Sequence, residues 1–154
     1  GYGAACEAYH PTAPEPDGQI IATTIEAALA DAGLPADAID HINAHGTGTM
    51  HNDRAEARAF HRVFRERVAS VPVNAIKSMT GYCLGAAGAI EAAILALTIA
   101  RGVIPPTIHH RESDPECALD VVPNEARECE VRCGLSTSLA FGGNDAALVM
   151  RQLE

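Results

Sequence analysis

Lys77-Ser78-Met79-Thr80-Gly81-Tyr82-Cys83-Leu84-Gly85-Ala86-Ala87-Gly88 gathers a lysine, two hydroxyls and a phenol among small residues. The run follows an apolar stretch, Val71 to Ile76, that reads as a strand entering a core. It leads into a helix over Leu84 to Ala100 whose one ionisable residue is Glu91. A strand-to-helix turn presents unpaired backbone N–H groups, and small residues let a ligand or a second backbone come close. Upstream, His45-Gly46-Thr47-Gly48-Thr49 puts an imidazole, free to titrate or to donate a hydrogen bond near neutral pH, on a glycine loop after the short strand His41 to Ala44. Downstream, Phe141-Gly142-Gly143-Asn144 sets an aromatic on a glycine turn, where it can swing as the flanking strands cannot. Asp53, Glu56, Lys77 and Glu91 form one further group. Lys77 and Glu91 fall in apolar surroundings where neither could stay charged alone, so they are expected to be partners, with Glu56 nearby.

These three motifs, in this order and spacing, resemble the C-terminal half of a β-ketoacyl-acyl carrier protein synthase. The resemblance runs from Gly1-Tyr2-Gly3 to the last strand. It implies an α/β fold, a thiolase-like half layered αβα, with a mixed sheet ending in an antiparallel hairpin. The implied reaction is the decarboxylative Claisen condensation of an acyl thioester with a malonyl-carrier protein, in fatty-acid or type II polyketide synthesis. In similar enzymes the histidine matching His45 polarises the thioester carbonyl during decarboxylation, and the lysine matching Lys77 lies close to the site, bonded to a carboxylate such as Glu91. Thr47 and Thr49 would hydrogen-bond a phosphopantetheine arm, to which hydroxyls that both donate and accept are suited. Phe141, with Gly142 and Gly143, would gate the acyl pocket. Cys6 to Asp17, with Glu7, His10 and Thr12, matches a mobile loop beside that pocket.

Three departures stand out against the family. Tyr82 occupies the place of a second histidine, Ala140 that of a glycine, and Asp145 is unusual in its loop. A phenol can donate to a carbonyl, but with a pKa of about 10 it exchanges protons poorly at pH 7. The condensation also needs a nucleophilic cysteine. In the family it lies in the N-terminal half, and none of Cys6, Cys83, Cys117, Cys129 and Cys133 has its surroundings. This chain alone is therefore expected to be impaired or inactive. Two other readings stay open: a non-catalytic partner subunit of the chain-length-factor type, and another acyltransferase of the thiolase superfamily. The expected partners are an acyl carrier protein, the N-terminal ketosynthase half, and a second subunit in a homodimer or heterodimer. No bound cofactor or metal is expected.

The remaining sequence bounds the setting. With 154 residues the chain has the length of one domain, and its net charge of -9 speaks against nucleic acid or an anionic membrane surface. Arg54, Arg58, Arg62, Arg65 and Arg67 could dock an acidic carrier or simply form a solvated helix face. Five cysteines without a C-x-x-C pair fit a reduced, cytoplasmic protein. The chain opens without a methionine, as if inside a strand. Gly18 to Ala32 has a helical period ended by Gly33 and Pro35. Asn52 is placed to cap a second helix, with Ala59, Phe60, Val63 and Phe64 inward. Val103 to Thr107 reads as an extended edge, Leu119 to Val122 as β-like, and Gly134 to Ala140 with Ala146 to Met150 as a hairpin.

Overall fold

The computed structural model describes residues 1–153. A six-stranded mixed sheet runs in the order β1-β8-β7-β2-β3-β5. Its members are β1 (Tyr2–Cys6), β2 (His41–Asn43), β3 (Pro72–Asn74), β5 (Asp120–Val121), β7 (Cys133–Ala140) and β8 (Asn144–Arg151). Strands β7, β2, β3 and β5 run parallel to one another, while β8 is antiparallel to both β7 and β1. The expected edge at Val103 is β4 (Val103–Ile104). It pairs instead with β6 (Arg127–Glu128), a strand the sequence did not suggest, in a separate two-stranded sheet.

Helices α1 (Gln19–Ala32) and α2 (Met50–Phe64) cover one face of the large sheet, and α4 (Ala87–Arg101) packs against β7 on the other. The arrangement is α/β in three layers. The α1/α2 face carries the main core: Ile21, Ile25 and Leu29 from α1, and Ala55, Phe60 and Phe64 from α2, meet Ile42, Val73, Leu135 and Val149. Strand alternation divides β7 cleanly between the layers. Thr137 reaches Glu56 on α2, while Ser138 reaches Glu91 on α4.

Two local readings are corrected. Asn52 does not cap α2; the cap position is Thr49, and Asn52 is buried inside the helix, donating to Asp53 and Glu56. The apolar stretch at Val71 does not carry Lys77 on a strand. The strand stops at Asn74, and Lys77 opens a single helical turn, α3 (Lys77–Thr80), before a 3₁₀ turn at Leu84–Ala86 leads into α4. Ser78 and Thr80 favour that detour, because their hydroxyls donate to the carbonyls of Ala75 and Ile76. The arginines of α2 are committed within the chain. Arg54 pairs with Glu116 at 2.7 Å, and Arg58 and Arg62 donate to the carbonyls of Pro16 and Asp17; Arg67, in the 3₁₀ segment that follows α2, donates to that of Ile39.

Gly18 precedes α1 with φ 65°, and a Cβ there would sit 2.2 Å from the carbonyl oxygen of Ala55 on α2. A left-handed alanine costs about 1–2 kcal/mol before any clash. Gly18→Ala in the protein carrying this chain is expected to lose at least about 2 kcal/mol, read as a lower denaturation midpoint at unchanged m-value. Gly33, also left-handed but with open space around it, gives the matched control: Gly33→Ala should lose only the conformational part.

Candidate active site

His45 is buried and stands at the end of β2, where the chain leaves the sheet. Glu56, wholly inside α2, fixes that exit. Its carboxylate accepts the N–H of His45 at 2.7 Å, that of Gly46 at 2.9 Å, the Thr137 hydroxyl at 2.5 Å and the Asn52 amide at 3.2 Å. Burial still pushes Glu56 above the usual carboxylate range. Asp53 continues the pattern by accepting the N–H of Gly48 at 3.2 Å. Gly46 is required here: its φ is 43°, and a Cβ would meet that of Ala75 at 2.4 Å. The polar group around Lys77 is thus two groups. Asp53 and Glu56 hold the backbone of the histidine loop, and neither touches the lysine.

Lys77 and Glu91 form the other group. Their side chains are almost fully buried and make a very short ion pair. Lys77 Nζ also donates to the His45 carbonyl at 2.5 Å and reaches His45 Nδ1 at 3.2 Å. An ammonium has only donors, so Nδ1 must be the acceptor and the ring proton sits on Nε2. Burial and then the lysine charge lower the pKa of His45 to about 3. The free-titrating histidine expected from the sequence is corrected by this: the ring is neutral and held in one tautomer. Burial raises Glu91 against the opposing pull of Lys77.

Tyr82 is about 41 % exposed and sets its ring edge-on to His45, with centroids 5.3 Å apart. Lys77 Nζ lies 5.0 Å from the phenol ring, within cation–π range. The Tyr82 hydroxyl makes a long contact of 3.5 Å to the Leu139 carbonyl, and burial followed by Glu91 raises its pKa. Thr47 and Thr49 bond to each other at 2.9 Å. Phe141, 71 % exposed, sits on the three-residue turn that joins β7 to β8, where Gly142 and Gly143 have φ 85° and 75°. His45, Thr47, Thr49, Tyr82, Phe141 and Gly143 line one cleft of about 390 Å³. Lys77 and Glu91 lie behind the imidazole and do not reach the cleft wall. Thr137 and Asn52 are members of this region that the sequence does not reveal, while Asp145, unusual in the Phe141 loop, lines the cleft. The spacing Asn52-Asp53-x-x-Glu56, polar residues on the inward face of an amphipathic helix, was the signal available for the first of these groups.

Residues 1–111 match the family model described as beta-ketoacyl synthase, C-terminal domain, and the chain belongs to that family. It is 49 % identical over 150 residues to the tetracenomycin polyketide synthase ketoacyl synthase alpha subunit of Streptomyces glaucescens, covering 97 % of this chain and 35 % of that protein. It is 44 % identical over all 154 residues to the 3-oxoacyl-[acyl-carrier-protein] synthase 2 of Staphylococcus aureus, covering 37 % of it. The solved structure of the ishigamide ketosynthase/chain length factor superposes with a TM-score of 0.94 at 49 % identity, over 100 % of this chain and 37 % of that one. The chain spans about a third of the length of the relatives it matches.

Removing one partner of the Lys77–Glu91 pair strands a buried charge, which costs about 3–5 kcal/mol. Glu91→Ala should destabilise the protein by that amount. Nitrogen NMR of His45 should report an Nε2–H neutral ring from pH 5 to 9. Since His45 binds its proton less readily folded than unfolded, its contribution to stability is present above pH 6.5 and is lost as pH falls towards 3. A His45 that titrates near 6.5 would overturn the geometry described.

Proposed function

We propose that this chain is the C-terminal part of a 3-oxoacyl-[acyl carrier protein] synthase, serving decarboxylative Claisen condensation in fatty-acid or type II polyketide synthesis. The observation that carries the reading is a neutral imidazole, its proton fixed on Nε2 by Lys77, on the wall of a cleft it shares with two threonines. Loss of carbon dioxide from a malonyl thioester gathers negative charge on the thioester oxygen. A fixed N–H donor in a site shielded from water stabilises such charge without reorganising. Because His45 is neutral, it brings no net charge that would hold the starting carboxylate in place. Thr47 and Thr49 exchange their mutual bond for bonds to the amide groups of a phosphopantetheine arm presented by an acyl carrier protein. Phe141, aromatic and exposed at the mouth, gates entry of the acyl chain.

No cysteine lines the cleft among the described residues. The nucleophile is supplied by the N-terminal half, and the uncovered surface fits that assignment. The stretch Leu84–Arg101 has a mean hydropathy of 1.6 yet is only 28 % buried. Tyr2, Leu84 and Leu97 are exposed on the α4 side of the sheet, next to half-buried Ala146, Leu148 and Met150. An apolar surface of this extent needs a partner layer. The N-terminal half fills that role, within a homodimer or heterodimer in the cytoplasm.

A second reading is favoured by Tyr82. Its ring stands against His45 where a second hydrogen-bond donor serves in similar enzymes, and its hydroxyl turns to the Leu139 carbonyl. The side chain fills space that the thioester oxygen would need. The protein is then slow, or acts as a non-catalytic partner of the chain-length-factor type. Losing one such donor commonly costs about 10²–10³ in rate. In the complete protein, Tyr82→His is expected to raise malonyl decarboxylation and condensation more than about tenfold, and His45→Ala in that background should abolish the gain. If Tyr82→His leaves both rates unchanged or lowers them, the tyrosine is an adapted catalytic group. If no variant decarboxylates malonyl-carrier protein, the partner-subunit reading replaces the enzymatic one.

A further inference from the structure

The cleft has an acidic wall that the chemistry proposed above leaves unused. Glu7 follows β1 directly and Asp145 is the second residue of β8; the two strands pair Ala5 with Asp145 and Cys6 with Asn144, so Glu7 stands one diagonal step from Asp145 on the same face. Glu7 Oε2 accepts the N–H of Glu15 at 2.9 Å. Glu7 Oε1 and Asp145 Oδ2 are shut off from solvent, and neither has a hydrogen-bond donor. Carboxylates only accept, so two of them can bond only with a proton between them. Among the described residues no lysine or arginine bonds to either carboxyl.

The pair sits at the base of the turn that carries Phe141. Glu7 N–H donates to the Gly143 carbonyl at 2.8 Å, and Gly142 N–H donates to that of Pro11 at 2.8 Å. A Cβ on Gly143 would lie 3.0 Å from Glu7 Cβ, so the turn and the loop after β1 are in direct contact. Both carboxyls line the cleft with His45 and Phe141.

We propose that Glu7 and Asp145 share a single proton, and that this proton latches the Phe141-Gly142-Gly143 turn onto the Cys6–Asp17 loop, narrowing the cleft mouth until the proton is lost. Loss leaves two facing carboxylates, with Glu56 a third close by, and their repulsion parts turn from loop. The inference goes beyond the proposed function and does not depend on turnover.

The groups that face the pair define where the switch acts. Burial, with the charges of Glu7 and Glu56, pushes Asp145 up to about 8, and burial also raises Glu7. From the loop after β1 come Glu7 and Glu15, from α2 Glu56 with Asp53 and His51 beyond it, and from the histidine loop His45, which stays neutral throughout. Tyr82, across the cleft, has its pKa raised further from this range. Cys6, exposed at the end of β1, has its sulfur 3.7 Å from the Gly142 carbonyl. The folded chain holds the Asp145 proton more tightly than the unfolded chain. Stability therefore falls as pH climbs from about 4 to about 8 and levels off above.

The test uses the complete protein. Infrared spectroscopy should show the carbonyl band of a buried carboxylic acid at pH 6, lost with a midpoint near 8. Amide exchange at residues 141–145 should accelerate between pH 7 and 9 by roughly tenfold beyond its ordinary base catalysis. Asp145→Asn, whose amide donates to Glu7 at any pH, should show neither the band nor the extra acceleration, and Glu7→Gln should also lose the band. Absence of the band from the parent at pH 6, or identical exchange profiles for the parent and Asp145→Asn, would overturn the proposal. Neither readout involves decarboxylation, so a failure here is distinct from a failure of the proposed function.

Discussion

A lysine with almost no access to water must find an acceptor for every proton it carries, and the site is arranged around how Lys77 does so. Its three donors go to Glu91 on α4, to the carbonyl of His45 and to His45 Nδ1. One buried cation thereby ties the helix on one face of the sheet to the loop leaving β2, and sets the proton of the imidazole. Fold stability and site chemistry cannot be separated here. Desolvating the pair is costly, and the cost is offset only while all three acceptors stay in place. Any change that lets α4 move from β7 would free His45 to rotate.

The histidine loop solves a second constraint by alternation. His45, Thr47 and Thr49 face the cleft, while Gly46 and Gly48 turn their backbones away from it towards Glu56 and Asp53. A side chain at Gly46 would push the loop off its carboxylate anchors. Ala75 leaves no room behind Gly46. The loop is therefore held by acceptors on α2, and its donors and hydroxyls are kept for whatever enters the cleft.

How much of this could be read from sequence depends on the range of the interaction. The layer class, the two amphipathic helices and the β7–β8 hairpin were legible, because periodicity and glycine turns are local signals. The Lys77–Glu91 contact was legible for a different reason: two charges in apolar stretches have few alternatives to each other. The place of Glu56 was not. Its partners, the N–H groups of His45 and Gly46 and the hydroxyl of Thr137 some 81 positions away, are brought together only by β2 lying beside β7. The strand Arg127–Glu128 was missed because two residues have no period. The helical turn at Lys77 was missed because an apolar run of that length is equally consistent with a strand running on. Asn52 was misplaced by one turn of helix, since capping residues also serve inside a helix when a buried carboxylate needs a donor.

Three carboxyls are buried around His45, and each is accommodated by different means. Glu91 has a cation, Glu56 has four donors from backbone and side chains, and Asp145 has a carboxyl neighbour, Glu7, in place of either. These solutions differ in what they do to the field at the imidazole. The carboxylate of Glu91 is held by its cation and that of Glu56 by its four donors, so both are fixed in place by the fold. A carboxyl whose partner is another carboxyl can change its charge, and it does so where Phe141 meets the loop after β1. The half of the site behind the histidine is held rigidly by these bonds, while the half at the mouth carries a charge that depends on pH. Phe141 stands on that second half, on a turn whose glycines let it move without disturbing Lys77.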